Sequence, residues 1–278
     1  MDTMILQCIH ENIGINHFNK ILADKNMDLE ILLSWVNVFE KIRGSTEEYH
    51  FIKNRDIIKM ALNDLNVCLL ANPDAHIKMQ FDKGRWETHG QFLKTLLFDF
   101  RDANNLSEFM HKWHDWISKS NADLERIKKE YDDMAQQVAA LPKKAKGASN
   151  EGIYDSLKAH LIEKFSLPQE YVESNSEVLY NDFPSIRYYA ELFIDFAIGI
   201  GNSTYRKDVG NYLDNAQVLY LNIVDYFITN DKGLVSRMRN LKSGALIERV
   251  FTLNEFIELG NSQINRRAPQ EVSDYYEF

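Results

Sequence analysis

Two acidic residues in the last third of the chain have the type and spacing of ligands for a divalent cation. Asp214 lies near the start of a predicted helix over residues 211–222, and Asp231 follows the apolar segment 225–229, which predicts a short strand. Ligands of open parallel sheets bind beyond the carboxyl ends of the strands, so both carboxylates can reach one sheet edge. Carboxylates gathered at one edge repel each other unless a hard cation neutralises them, so we expect Mg²⁺ or Mn²⁺ there.

Each of these acids also has a simpler interpretation. An isolated Asp after a strand is more often a turn or helix-cap residue than a ligand. The spacing from Asp214 favours the metal site for Asp231, whereas Asp225, at the start of the predicted strand, is interpreted as structural.

The segment D-x-x-Q-x-x-Y-L-x-x-x-D-Y-F-I-T-N-D, residues 214–231, resembles the carboxyl-terminal signature of PIN-domain nucleases. In that family a helix-borne Asp precedes a strand that ends in (V/I)-T-x-D. The segment LSWVNVFE, residues 33–40, is similar to the family segment that carries a Glu, here Glu40. The segment MDTMIL partly matches the first strand, which ends at an Asp, here Asp2, although Met4 stands where the family usually has Asn.

The resemblance implies metal-assisted hydrolysis of phosphodiester bonds. It assigns Asp2, Glu40, Asp214 and Asp231 as catalytic residues that bind one or two Mg²⁺ or Mn²⁺ ions. The family's usual substrate is RNA, and DNA is not excluded. It also implies a bacterial toxin or defence nuclease, for which a protein inhibitor is a plausible partner.

Residues beside Asp231 complete the expected site. Thr229 and Asn230 are expected to support the turn by hydrogen bonding. Arg237 and Arg239, on the helix that follows, are expected to contact the substrate backbone. The alternative function is a catalytically inactive PIN-like interaction module, which would act through its helical insertion.

The expected fold is a three-layer α/β/α PIN-like fold with a central parallel sheet and an inserted helical subdomain. Apolar segments predict strands at 29–36, 66–70, 225–229 and 249–252, alternating with helical patterns. The catalytic domain is expected to be discontinuous, and we expect these boundaries: catalytic domain 1–75 and 176–262, helical insertion 76–175, and polar tail 263–278.

The insertion contains a long amphipathic helix. From Phe109 to Leu141 the stripe residues recur every three or four positions once the polar Ser120 is counted, a pattern that predicts one stripe along a single helix. Helices at 86–102 and 151–165, or a second copy of the chain in a homodimer, would have to cover this stripe. Residues 141–152 are predicted to be a flexible hinge.

Composition limits the function further. The chain has 278 residues and a formal net charge of −9, which excludes a protein that binds nucleic acid through bulk positive charge. Its 2 cysteines are too few for a disulfide framework or a cysteine-based zinc site. The absence of a long apolar run and of a basic, apolar leader predicts a cytoplasmic protein without a membrane partner.

Overall fold

The computed structural model describes residues 3–25, 29–70, 72–79, 86–140, 150–201, 209–221, 223–240 and 247–259. These ranges are mostly helical and contain four short strands. The α-helices are α1 Thr3–Cys8, α2 Ile15–Asp24, α3 Trp35–Arg43, α4 Glu48–Asp64, α5 Pro73–Met79, α6 Trp86–Asp102, α7 Leu106–Ala140, α8 Asn150–Phe165, α9 Glu170–Glu173, α10 Ser176–Asp182, α11 Pro184–Gly201, α12 Val209–Gln217, α13 Lys232–Arg239 and α14 Leu253–Glu258. The strands are β1 Ile31–Ser34, β2 Val67–Leu70, β3 Phe227–Ile228 and β4 Val250–Phe251.

The expected three-layer fold with a central sheet is wrong. In the described residues, β1 pairs in parallel with β2, and β3 pairs in parallel with β4, but these are two separate sheets of two strands each. The register joins Ile31 to Val67 in the first sheet and Phe227 to Val250 in the second. All four strands lie within the segments predicted from the sequence, so the error concerns how they assemble.

The segment that follows Asp2 is helical. Residues Thr3–Cys8 form α1, which continues into a π-helical segment, Ile9–Ile13. Ile5 and Ile9 are four positions apart, the spacing that places two side chains on one helix face. Both are fully buried and share one hydrophobic cluster with Ile31 of β1 and Ile228 of β3. The two sheets are therefore linked here by side-chain packing.

The long helix predicted from Phe109 to Leu141 is present as α7. The first part of its apolar stripe packs against α6, and Leu124 packs against Phe193 and Phe196 of α11. Among the described helix pairs, α7 and α11 share the most extensive contact. The part of the stripe whose side chains are described is thus covered from within the chain, and it supplies no argument for a homodimer. Most of the predicted hinge, residues 141–149, lies outside the described residues.

Aromatic side chains join α3, α6 and α7. The ring of Trp116 lies 5.2 Å from that of Trp35, 5.7 Å from that of Phe92 and 6.2 Å from that of Trp113, measured between ring centroids. Phe39 stacks on Trp35 at 5.5 Å. We refer to these five residues as the aromatic cluster. Edge-to-face and offset contacts at these distances stabilise a junction beyond the burial of apolar area.

Within the described ranges, every helix is too short or too polar to cross a membrane.

Candidate metal-binding site

Asp231 follows β3 and Asn230 in the chain. Its side chain organises the start of the next helix, α13. It is the N-cap of α13, and its Oδ1 accepts a hydrogen bond of 2.9 Å from the backbone N–H of Leu234. Such a cap satisfies an amide that the helix itself leaves without a partner. Within the described part of the chain, Oδ2 accepts no protein hydrogen bond. One oxygen therefore holds the helix, and the other remains available to a ligand.

The residues before Asp231 fix the position of its backbone. The Oγ1 of Thr229, a fully buried residue, accepts a hydrogen bond of 3.0 Å from the N–H of Asp231. The N–H of Thr229 donates to the carbonyl of Phe251 at 3.0 Å, which extends the pairing of β3 with β4. The Oδ1 of Asn230 accepts from the N–H of Leu253 at 3.4 Å. The turn that carries Asp231 is thereby tied to the turn that begins α14.

Gly233 leaves space between two charged side chains, those of Asp231 and Arg237. A Cβ at this position would lie 3.0 Å from Oδ1 of Asp231 and 3.6 Å from Nη1 of Arg237. The half-buried Arg237 guanidinium therefore lies across Gly233 from the Asp231 carboxylate. At this position the positively charged guanidinium of Arg237 could contact a negatively charged ligand bound near Asp231.

Arg239 has a structural partner. Its Nη1 and Nη2 donate to the two carboxylate oxygens of Glu255 at 2.9 and 2.8 Å, and Nη2 also donates to the carbonyl of Val250 at 3.0 Å. The hydrogen bonds from Arg239, followed by one from the backbone of Thr252, lower the pKa of Glu255 to about 2. This ion pair joins α13 to α14. It engages the guanidinium of Arg239, which the sequence analysis assigned to substrate binding.

A pair of buried amides connects the helices that carry Glu40 and Asp214. The Nδ2 of Asn37 donates to Oε1 of Gln217 at 3.5 Å, so α3 contacts α12 at this point. Asn37 is held by its own capping box, in which its Oδ1 accepts from Oγ of Ser34 at 2.9 Å and from the N–H of Ser34 at 3.0 Å. The hydrogen-bonded side chains of Ser34, Asn37 and Gln217 lie at the carboxyl end of β1 and are almost completely buried.

The neighbours of Glu40 and Asp214 also pack together. Phe39, the residue before Glu40, belongs to the same hydrophobic cluster as Leu213, the residue before Asp214. Both acids are half-buried. Because α3 and α12 are joined by this cluster and by the amide pair, the structure brings these two acid-bearing helices into contact.

The four acids do not form a complete metal site in the described residues. No group of three or more His, Cys, Asp or Glu side chains close enough to hold a metal ion occurs there, so Glu40, Asp214 and Asp231 do not form one by themselves. Asp2 lies outside the described residues. The residues that follow it, Thr3–Cys8, form α1.

Three amide residues were not among those proposed from the sequence. Asn37 lies in the segment 33–40, and Asn215 and Gln217 lie in the segment 214–231, where only the acids were singled out. A signal was present, because Asn215 and Gln217 interrupt an otherwise apolar run that extends to Leu221. Polar residues in such a run must be buried with partners or face a ligand.

No protein-family model, no curated protein and no solved structure matches this chain.

Proposed function

We propose that this chain is a divalent-metal-dependent endoribonuclease. In this proposal Asp2, Glu40, Asp214 and Asp231 bind one or two Mg²⁺ or Mn²⁺ ions. The support is the similarity of residues 214–231 and 33–40 to the PIN-domain nuclease signature, together with the contact between the helices that carry Glu40 and Asp214.

The observation that carries the proposal is the contact between α3 and α12. The amide pair of Asn37 and Gln217 joins the two helices, one turn away from Glu40 on α3 and one turn away from Asp214 on α12. Helix residues three positions apart lie on neighbouring parts of one face. Two carboxylates on contacting helix faces are the arrangement that a hard cation bridges.

The residues have separate tasks in this mechanism. A bound ion would lower the pKa of an attacking water and stabilise negative charge on the phosphate. Asp231 would bind through Oδ2 while its Oδ1 keeps α13 in place, and Thr229 holds the backbone of Asp231. Arg237, beside Asp231, would contact a phosphate oxygen of the substrate.

A cleavage assay tests the proposal. Wild-type protein is incubated with single-stranded RNA and, separately, with single-stranded DNA, in Mn²⁺ and in chelator. We expect metal-dependent cleavage of RNA, and a rate lowered by roughly 100-fold or more in Asp214→Asn, because even indirect ligand partners contribute up to about that factor. Asp225→Asn removes an exposed charge from the same segment, 214–231, and should leave the rate unchanged.

A second candidate is a catalytically inactive module that binds a partner through residues 76–175. The finding that Glu40, Asp214 and Asp231 do not form a group able to hold a metal ion favours it. The same assay separates the two candidates. Intact RNA after incubation of the wild type in Mn²⁺, or equal cleavage by wild type and Asp214→Asn, would reject the nuclease.

A further inference from the structure

A stripe of buried polar side chains runs along α3, the helix that carries Glu40, and into the turn that follows it. Its members are Ser34, Asn37, Lys41 and Ser45, which are 3, 1, 8 and 5% exposed. They are three or four positions apart, the spacing that places side chains on one face of a helix. The buried face of a helix is usually apolar, because a polar group removed from water destabilises the folded state unless it has a partner. The partners of this stripe therefore determine what it does.

Lys41 is the charged member of the stripe. It is the one lysine or arginine among the buried polar side chains of the described residues. Its Nζ donates a hydrogen bond of 3.1 Å to Oε1 of Gln7 on α1. Hydrogen bonds are directional, whereas the hydrophobic contact between two helices is not. The bond to Gln7 therefore fixes α3 against α1 in one orientation.

The backbone of Lys41 is held as well. Its carbonyl accepts hydrogen bonds from Oγ of Ser45 at 2.7 Å and from Nδ2 of Asn54, on α4, at 2.9 Å. The Nδ2 of Asn54 also donates to Oγ of Ser45 at 3.1 Å. The carbonyl of Glu40, the preceding residue, accepts from the N–H of Gly44 at 2.9 Å. The last turn of α3 is thus tied to α1 through a side chain and to α4 through a carbonyl.

The first turn of α3 is fixed by the same polar stripe. Ser34 and Asn37 form the capping box of the helix, and Nδ2 of Asn37 donates to Oε1 of Gln217 on α12 at 3.5 Å. Glu40 lies three positions after Asn37 and directly before Lys41. Directional bonds therefore hold α3 on both sides of Glu40. Together they fix the rotation of α3 about its axis, and this rotation sets the direction in which Glu40 leaves the helix.

We propose that Lys41 is a positioning residue of the candidate metal site. Its bond to Gln7 holds the last turn of α3 in the rotation that directs Glu40 at the metal ion. This inference rests on the proposed function, in which Glu40 binds Mg²⁺ or Mn²⁺. Groups that orient a metal ligand contribute about 10- to 100-fold to metal affinity, so the effect of Lys41 falls on metal binding.

A titration of three variants with Mn²⁺ tests the inference. Lys41→Met removes the donor and keeps a side chain of similar length, and Gln7→Met removes the acceptor on the other helix. Lys25→Met is the matched control, because Lys25 is also partly buried and its Nζ donates to a neutral oxygen, the carbonyl of Leu259, at 3.2 Å. The Tm of each protein is measured from chelator to saturating Mn²⁺. The midpoint of the rise in Tm reports metal binding without an activity measurement.

We expect the Mn²⁺ midpoint to rise by about 10-fold in Lys41→Met and in Gln7→Met, the lower end of the contribution of a ligand-orienting group. Lys25→Met should keep the midpoint of the wild type. A purely structural role of Lys41 would lower the Tm in chelator and leave the midpoint unchanged. The midpoint therefore separates positioning of Glu40 from stabilisation of the fold.

Three results would overturn the inference. A wild-type midpoint in Lys41→Met, or in Gln7→Met, would show that their bond ties α1 to α3 without directing Glu40, and the proposed function would stand. An equal rise in Lys25→Met would mean that the loss of any such bond weakens the site. If Mn²⁺ changes neither the Tm nor the RNA cleavage of the wild type, the proposed function fails and this inference fails with it. If Lys41→Met does not fold, Gln7→Met decides alone.

Discussion

The carboxylate of Asp231 combines a structural and a proposed catalytic task in one residue. Its Oδ1 caps α13, and its Oδ2 has no protein partner in the described residues. Asn caps helices about as well as Asp, whereas Ala does not. The charge and the cap can therefore be removed separately.

We predict that Asp231→Asn retains the stability of the wild type within about 0.5 kcal/mol while it loses RNA cleavage. Asp231→Ala should lose cleavage and, in addition, about 1 kcal/mol of the free energy of unfolding, because the Leu234 amide then lacks its partner. Urea denaturation and the cleavage assay measure both. Asp231→Asn with wild-type activity would assign Asp231 to capping alone.

His76 gives the chain a pH-dependent stability. Burial lowers the pKa of His76 to about 4, since the charged imidazole loses its hydration, and the ring lies 6.0 Å from that of Tyr220. The unfolded chain takes up this proton near the ordinary pKa of about 6.5. Between these two values the unfolded state binds more protons than the folded state, so stability falls as the pH falls.

We predict that the free energy of unfolding decreases by about 2 kcal/mol between pH 7 and pH 5 through His76 alone. His76→Gln has no proton to gain, so its loss over this interval should be smaller by about that amount. Urea denaturation of both proteins at the two pH values gives the difference. Equal losses in both proteins would show that His76 is hydrated in the folded state.

At the scale of single elements, α14 shows how local sequence specifies a helix start. Thr252 is its N-cap, and Thr252 and Glu255 form a capping box in which each side chain bonds the other's backbone N–H. Glu255 also forms the ion pair with Arg239. Because its pKa is lowered to about 2, this contribution to stability is complete above the ordinary pKa near 4.5 and is lost as the pH falls towards 2.

We predict that Thr252→Ala lowers the free energy of unfolding by about 1 kcal/mol, since the amide of Glu255 loses its acceptor. Thr252→Ser keeps the hydroxyl and should remain close to the wild type. Urea denaturation at pH 7 compares the three proteins. A similar loss in Thr252→Ser would mean that the methyl group of Thr252, and not its hydroxyl, stabilises this turn.

Sequence patterns predicted the single elements better than their assembly. The apolar stripe predicted α7, and the strand positions were found, because these signals are local. No element was predicted for Thr3–Cys8, which form α1, because a few apolar residues suit either a strand or a helix. The i, i+4 spacing of Ile5 and Ile9, which both become buried, decided for the helix.

The candidate site was predictable only in part, for a related reason. Motif spacing selected Asp214, which lies within α12, and Asp231, which caps α13 after β3. The partner of Arg239 could not be predicted, since Glu255 comes from a later helix. The buried state of Asn215 also depends on tertiary packing, which no short segment specifies.

At the scale of the whole molecule, one hydrophobic cluster joins distant parts of the chain. It contains Val36 and Phe39 of α3, Leu124 of α7, Phe193 and Phe196 of α11 and Leu213 of α12. The helix that carries Glu40 and the helix that carries Asp214 thus depend on α7 and α11 for their relative position. Damage to this cluster should affect stability and the site together.

We predict that Phe196→Ala lowers the free energy of unfolding by about 3–5 kcal/mol, because it removes a buried ring and leaves a cavity between helices. Val178→Ala, at an exposed position on α10, should change it by less than about 0.5 kcal/mol. Urea denaturation measures both. A loss below about 1 kcal/mol in Phe196→Ala would show that this cluster tightens around the missing ring.

The aromatic cluster allows the intrinsic tryptophan fluorescence of the protein to serve as a probe of its structure. The chain has 4 Trp residues, and Trp35, Trp113 and Trp116 all lie in this cluster, while Trp86 begins α6, the helix that supplies Phe92. The emission of Trp35, Trp113 and Trp116 then comes from the junction of α3, α6 and α7. Since α3 also carries Glu40, a shift in emission would report movement next to the proposed site without any added dye.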